Sequence, residues 1–222
     1  MQKIVIFDFC ETLVDFQTAD AFVDYALSHL DKPSLRYRRS VNNLLCQLRI
    51  LDIAEILTHW KKSLHKRNKL WILKGIKMSD LEKIALQYYE SQIKKHFIQT
   101  TLTIMKKHQE RGEKIWIVSG GYDIYLKHFV KDFGVEKLIS SKISSTNGIC
   151  DGKMEGLDCL CENKIILLKN IISKEASIEI IASYSDSISD IPILNIAQNA
   201  YVVSRKHQSW VNNYNYKEIL WK

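Results

Sequence analysis

The feature that most constrains the fold is a continuous apolar run that stops on an acid, Lys3-Ile4-Val5-Ile6-Phe7-Asp8. Unbroken aliphatic runs of this length, without polar alternation, mark parallel strands buried on both faces. The pattern returns at Lys114–Ser119, which ends in Ser119-Gly120-Gly121, at Ile178–Ala182, which ends in Ser183-Tyr184-Ser185-Asp186, and at Ala200–Val203. Helical spacing separates each run from the next. This alternation predicts an α/β fold: a doubly wound, mainly parallel sheet with a Rossmann-like core, in which ligands bind beyond the carboxyl ends of the strands. Asp8, Ser119 and Asp186 are therefore expected at one edge.

The segment between the first two runs is too long for one crossover helix. Thr18–Leu30 carries apolar residues at helical spacing (Phe22, Val23, Ala26, Leu27, Leu30), and Val41–Leu57 and His59–Leu73 read as further helices. Ser79 followed by Glu82 reads as a capping box ahead of Leu81, Ile84, Ala85 and Tyr88. The expected organisation is an α/β catalytic core over residues 1–15 and 98–222, with a helical cap domain over residues 16–97. Gly112, after Arg111, suits the left-handed end of a helix returning to the core. Residues 138–157, with turns at Asn147-Gly148 and Asp151-Gly152, predict a β-hairpin flap, and Lys164 opens a helix over Ile165–Ile172.

The 222 residues contain 46% hydrophobic and 26% charged residues, ordinary for a globular chain. No apolar stretch approaches the length of a membrane span, and the N-terminus runs straight into a strand without a signal-peptide pattern. Five cysteines without a framework spacing read as reduced thiols, so a cytoplasmic location is expected. Cys159-x-Cys161 lacks a second Cys/His pair at zinc spacing. The net charge of +7 is concentrated between Arg36 and Lys77 (Arg36, Arg38, Arg39, Arg49, Lys61, Lys62, Lys66, Arg67 and Lys69 among others). Such a run reads either as a solvated helix face or as an electrostatic funnel for an anionic substrate. Nucleic acid is disfavoured as a partner, because no recognised module or aromatic-basic interleaving accompanies the charge. Trp60, Trp71, Trp210 and Trp221 read as packing residues, Trp116 as core, His128 as surface, and Tyr122 as a candidate pocket residue.

A single acid at a strand tip is commonly a turn or cap residue; the accompanying set is what suggests chemistry. Phosphoryl transfer needs a nucleophile, donors for the equatorial oxygens and a cation to offset charge. Asp8 can attack phosphorus. Thr12 and Ser119 offer hydroxyls, Gly120-Gly121 backbone N–H groups, and Lys164 a fixed positive charge. Asp186 and Asp190 add hard oxygen ligands suited to Mg²⁺.

Asp8-Phe9-Cys10-Glu11-Thr12-Leu13-Val14, Ile117-Val118-Ser119-Gly120-Gly121-Tyr122-Asp123, Lys164 and Ser185-Asp186-x-x-x-Asp190 resemble, in order, the four motifs of the haloacid dehalogenase superfamily. The Ser-Gly-Gly-aromatic-Asp-Ile run and the helical cap after the first motif look most like its phosphoserine phosphatase branch. The resemblance implies Asp8 as nucleophile and Ser119 and Lys164 as phosphoryl-binding residues. It implies Mg²⁺ held by the Asp8 and Asp186 carboxylates and the main-chain carbonyl of Cys10, with Asp190 a further ligand or an orienting acid. The expected activity is Mg²⁺-dependent hydrolysis of a small-molecule phosphomonoester through an aspartyl-phosphate.

Two positions depart from that pattern. Cys10 stands where the branch has a second aspartate that serves as general acid and base. Three explanations compete: Glu11 substitutes, a cap residue (His59, His65, Asp20 or Asp24) supplies the proton chemistry, or the leaving group needs little protonation. Gln17 stands where phosphoserine phosphatases hold the substrate ammonium with a glutamate. A larger phosphomonoester, such as a sugar phosphate, an amide-linked amino-alcohol phosphate or another biosynthetic intermediate, therefore fits better than free phosphoserine. A non-catalytic protein binding Mg²⁺ and phosphate, and a nucleic-acid end phosphatase, remain the alternatives.

Overall fold

The computed structural model describes residues 1–58, 63–175 and 177–222, so His59, Trp60, Lys61 and Lys62 lie outside the described residues. Strand β1 (Gln2–Phe7) leads into five helices, α1 (Thr18–His29), α2 (Pro33–Gln47), α3 (Ile50–Thr58), α4 (Ser63–Trp71) and α5 (Met78–Ser91). Then come α6 (Gln99–Glu110), β2 (Lys114–Tyr122), α7 (Asp123–Phe133), β3 (Lys137–Thr146), β4 (Ile149–Glu155), α8 (Glu162–Ile172), β5 (Ile178–Ser185), α9 (Ile191–Leu194), β6 (Asn199–Ser204) and β7 (Lys217–Leu220). The strands form one seven-stranded sheet in the order β4-β3-β2-β1-β5-β6-β7. Every neighbouring pair is parallel except the β3–β4 hairpin. The expected α/β class, mainly parallel sheet, early helical insertion and hairpin are all present.

β1 is central because both of its faces are apolar. Val5 and Phe7 join a large cluster with Phe9, Leu13, Phe22, Tyr88 and Phe129, whereas Ile4 and Ile6 pack opposite with Trp116, Val118, Leu168 and Ile193. The main-chain N–H of Asp8 donates to the Tyr184 carbonyl at 2.9 Å, so the sheet fixes the residue immediately after β1. The inserted helices meet the sheet through aromatic packing. Phe22 lies 5.5 Å from Tyr88 and 5.2 Å from Tyr125, centroid to centroid, and is fully buried. Burying such a ring contributes about 1.5–3 kcal/mol. Tyr88 Oη donates to the Thr18 carbonyl at 3.0 Å, and Thr18 Oγ1 and Tyr125 Oη share a hydrogen bond at 2.8 Å.

Several local expectations are corrected. The stretch Val41–Leu57 is two helices, not one, because Arg49 adopts a left-handed backbone (φ 55°) after α2 ends. The Ser79/Glu82 capping box does not form: α5 begins at Met78, with Lys77 at the N-cap and no side-chain cap, so Ser79 is already inside the first turn. Lys164 lies in the first turn of α8, as its third residue, close to the expected start. Asn147 and Gly148 both have positive φ (50° and 73°) and make the hairpin turn, but Asp151-Gly152 makes none. Gly152 lies within β4, where the register with β3 shifts, and a Cβ there would come 2.8 Å from Lys74 Cβ and 3.1 Å from the Trp71 main chain. Glycine there permits α4 to approach β4 closely. β7, a short edge strand, carries no apolar run and was not anticipated. His128 is half-buried, not a surface residue, with its ring 5.8 Å from Tyr89. Trp116 is core and Trp221 is buried, as expected, and Trp71 packs beneath Arg38.

Candidate active site

Beyond the carboxyl ends of β1, β2 and β5 lies a cavity of about 360 Å³, lined by Asp8, Cys10, Glu11, Gln17, Asp20, Lys66, Gly120, Leu160, Cys161, Lys164, Asp186, Ser187 and Ser189 among others. Asp8 sits on its floor, 7% exposed. One of its oxygens, Oδ1, accepts the Phe9 N–H at 2.7 Å and faces Lys164 Nζ at 3.1 Å. Lys164 also donates to Asp190 Oδ2 at 2.6 Å, an oxygen that accepts Ser185 Oγ at the same distance. A buried ammonium is thus held between two buried carboxylates. Burial opposes its charge, but Asp8 and Asp190 outweigh burial and hold its pKa above the ordinary lysine range.

The carboxylates feel the converse. Burial pushes Asp8 up to about 6, with Lys164 opposing the rise and Asp190 adding to it. Burial, and then the Asp8 charge, push Asp186 up to about 8. Two neighbouring acids whose charge is undercompensated make a donor set that a divalent cation would relieve. Asp190 Oδ1 is buried with no hydrogen-bond partner, a further oxygen able to accept a ligand bond. Among the described residues no three His, Cys, Asp or Glu side chains converge as a self-sufficient metal cluster. A cation at Asp8 and Asp186 would therefore complete its shell with main-chain carbonyls and water, a common arrangement for Mg²⁺. The residues fit that ion.

Of the other expected residues, Thr12, Ser119 and Gly121 are buried and do not line the cavity. Thr12 Oγ1 donates to Asp186 Oδ1 at 3.5 Å, while the Thr12 carbonyl accepts Thr101 Oγ1 at 2.6 Å. Ser119 Oγ accepts the Gly121 N–H at 3.0 Å, which leaves its own proton available. A Cβ on Gly121 would lie 2.8 Å from Tyr125 Oη, so only glycine fits this loop as it stands. Cys10 Sγ lies 3.2 Å from Thr18 Oγ1. Burial, and then the nearby Asp8 charge, push its thiol up to about 11.

Gln17 faces the cavity, but its amide donates to Glu11 Oε2 at 2.8 Å, and Glu11 itself has a left-handed backbone (φ 54°). Of the proposed proton donors from the insertion, Asp20 lines the cavity. Asp24 is paired with Lys69 at 2.7 Å and His65 with Asp52 at 2.8 Å, and neither reaches it. Tyr122 is fully buried and does not line it. Cys159 is buried, its thiol turned to the Ile139 carbonyl at 3.5 Å.

Among the described residues, the basic run does not converge on the site. Arg36 pairs with Asp31, Arg38 donates to the Ile72 carbonyl, and Arg49 pairs with Asp52. Among the described residues of that run only Lys66 lines the cavity, and its ammonium is bonded to Gly120, Ser141 and Asp158. Lys66 and Cys161 entered the sequence reading only as members of the basic run and of Cys159-x-Cys161, and the cavity residues that it did not single out are Ala19, Leu160, Ser187 and Ser189. No local signal marks them, although the last two lie between Asp186 and Asp190.

Residues 5–195 match the family described as haloacid dehalogenase-like hydrolases, and the chain belongs to that family. Protein CicA of Caulobacter vibrioides is 23% identical over 195 residues, spanning 87% of this chain and 82% of that protein. A protein of unknown function from Bordetella pertussis Tohama I superposes with a TM-score of 0.75 at 16% identity, covering 99% of this chain and 98% of the other. The apo form of a phosphoserine phosphatase superposes with a TM-score of 0.59 at 20% identity, covering 91% and 86%. At these identities the two structures establish a shared fold.

Proposed function

We propose that this hydrolase is an Mg²⁺-dependent phosphomonoesterase that acts through an aspartyl-phosphate on Asp8. The observation carrying this reading is the placement of the Asp8 carboxylate, at a cavity floor beyond β1, beside the fixed charge of Lys164 and the second acid Asp186. In the first half-reaction an Asp8 oxygen bonds to phosphorus as the bond to the leaving oxygen breaks. In the second, water bonds to phosphorus, the Asp8–phosphorus bond breaks, and phosphate departs. Lys164 and the Ser119 hydroxyl stabilise the equatorial oxygens. Asp190 holds Lys164 in place. Asp8, Asp186 and the Cys10 carbonyl would hold Mg²⁺, which when bound would supply a Lewis acid to offset phosphoryl charge.

Cys10 limits the proton chemistry. A thiol pushed up to about 11 is neutral at physiological pH and cannot act as a base. Asp20 and Glu11 are the carboxylates of the cavity wall left for that work. The reading therefore favours substrates whose leaving oxygen needs little protonation. With Gln17 tied to Glu11 and the cavity lysines bonded within the chain, we propose a sugar phosphate or an amide-linked amino-alcohol phosphate, uncharged beyond its phosphate, rather than free phosphoserine. We also propose that residues 16–97 act as a cap over residues 1–15 and 98–222, admitting substrate and excluding water.

Cys10 also gives weight to a second reading, a phosphate-binding protein with little turnover. Phosphate release from an aryl phosphate, with and without Mg²⁺, separates the two. Mg²⁺-dependent release, with a phosphoryl group located on the Asp8 peptide after acid quench, is the expected result. No release, with phosphate binding retained, would overturn the enzyme reading.

A further inference from the structure

Lys66 sits on α4, and all three of its bonds reach acceptors distant in sequence. Its Nζ donates to the Gly120 carbonyl at 2.6 Å, to Ser141 Oγ at 2.8 Å and to Asp158 Oδ1. The residue is only 6% exposed and Asp158 is fully buried. Three ammonium protons on three acceptors exhaust its donors, so it is not a free anion receptor. Its acceptors are themselves organised: Ser141 Oγ donates to Asp158 Oδ1 at 2.6 Å and accepts the Cys159 N–H at 3.1 Å.

The Gly120 carbonyl and the Gly121 N–H belong to one peptide unit. Lys66 holds its oxygen and Ser119 Oγ holds its N–H at 3.0 Å, so the plane is pinned at both ends. Gly120 lines the cavity beside Asp8 and Lys164. Rotation of that peptide would move the Ser119 hydroxyl, whose hydrogen-bond partner among the described residues is the Gly121 N–H.

We propose that Lys66 is a positioning residue that sets the Gly120–Gly121 peptide and Ser119 for phosphoryl transfer, and does so only while α4 is seated on the core. The inference rests on the phosphatase reading above. Seating of the inserted helices and readiness of the phosphoryl-binding loop are then one event, made through one ammonium group.

The test uses Lys66→Met alone and Lys66→Met combined with Asp158→Asn. The single variant leaves a buried carboxylate without its lysine and can lose stability for that reason alone. The double variant is neutral at both positions and keeps an acceptor for Ser141. Expected for the double variant is a melting temperature near wild type, kcat for an aryl phosphate lower by about tenfold to a hundredfold from misorientation, and KM changed by less than about threefold. The Gly121 amide resonance should shift in both variants. A double variant with wild-type kcat and an unmoved Gly121 resonance would overturn the proposal, leaving Lys66 a structural ion pair. Should the wild-type protein release no phosphate, the phosphatase reading fails, and the Gly121 resonance alone decides whether Lys66 sets this peptide.

Discussion

Replacing Asp8 with asparagine should end turnover and at the same time make the metal-free protein more stable. Burial is the main cause lifting the Asp8 carboxyl from an ordinary 3.8 to about 6. A group whose folded pKa lies above its unfolded value favours folding while protonated, and that contribution is lost as pH rises through the folded pKa. At 1.36 kcal/mol per pKa unit, ionised Asp8 costs the wild type about 3 kcal/mol above pH 7 relative to a neutral side chain of the same shape. Asparagine escapes this cost, and Lys164 keeps Asp190 at 2.6 Å, so the ammonium is not orphaned. For a chain of this size the gain corresponds to roughly 6–12 °C in melting temperature. It should fall to about half that free energy near pH 5 and nearly vanish near pH 4, where both proteins are neutral at this position. The assay is thermal unfolding of both proteins in chelator across pH 4–8, with aryl-phosphate turnover measured in parallel. A melting temperature that falls on substitution at pH 7.5, or a difference that does not grow with pH, would refute the claim that the carboxylate is held at a desolvation cost. Retained turnover would refute its role as nucleophile.

Lys164→Met should abolish turnover and, by leaving Asp8 and Asp190 buried without their cation, cost about 3–5 kcal/mol at neutral pH by chemical denaturation. That loss should shrink as the medium is acidified and the two acids are protonated. Cys10→Asp should raise kcat for an alkyl phosphate by about 10²-fold or more, with a much smaller gain for an aryl phosphate, because a general acid matters most for a poor leaving group; equal gains would point away from missing acid catalysis. Gly121→Ala, which drives a methyl group to 2.8 Å from Tyr125 Oη and 3.2 Å from Thr18 Oγ1, should destabilise by about 1–3 kcal/mol and lower kcat. Its thermal unfolding and steady-state kinetics provide the check.

What could be read from the chain alone was whatever is encoded locally. β1, β2, β5 and β6 lie in the sheet interior, so their apolar runs announce them, and the polar residues at their tips announce one edge. Asn147-Gly148 announced its hairpin because a positive φ at both turn positions is a local demand. Asp8, Lys164, Asp186 and Asp190 were identifiable from order and spacing, and the fold brings their side chains to one place. The edge strand β7 escaped notice because a strand paired on one side needs no continuous apolar run. Ser79 and Glu82 had the right spacing for a cap, but α5 starts a residue too early for them to act as one. Gly152, read as a turn, serves instead the approach of β4 to α4, a contact no local pattern encodes.

The tertiary structure alone decided what becomes of the charges. In sequence Lys66 is one cation in a basic run; in the fold it is buried against acceptors 54, 75 and 92 residues away. The same holds for Asp8, whose identity as the acid ending the first strand is local but whose elevated pKa comes from burial, opposed by Lys164 and reinforced by Asp190, both remote in the chain. Burial and Coulomb energy depend on what surrounds a group in space, and that neighbourhood is assembled only when the strands pair and the helices pack against them.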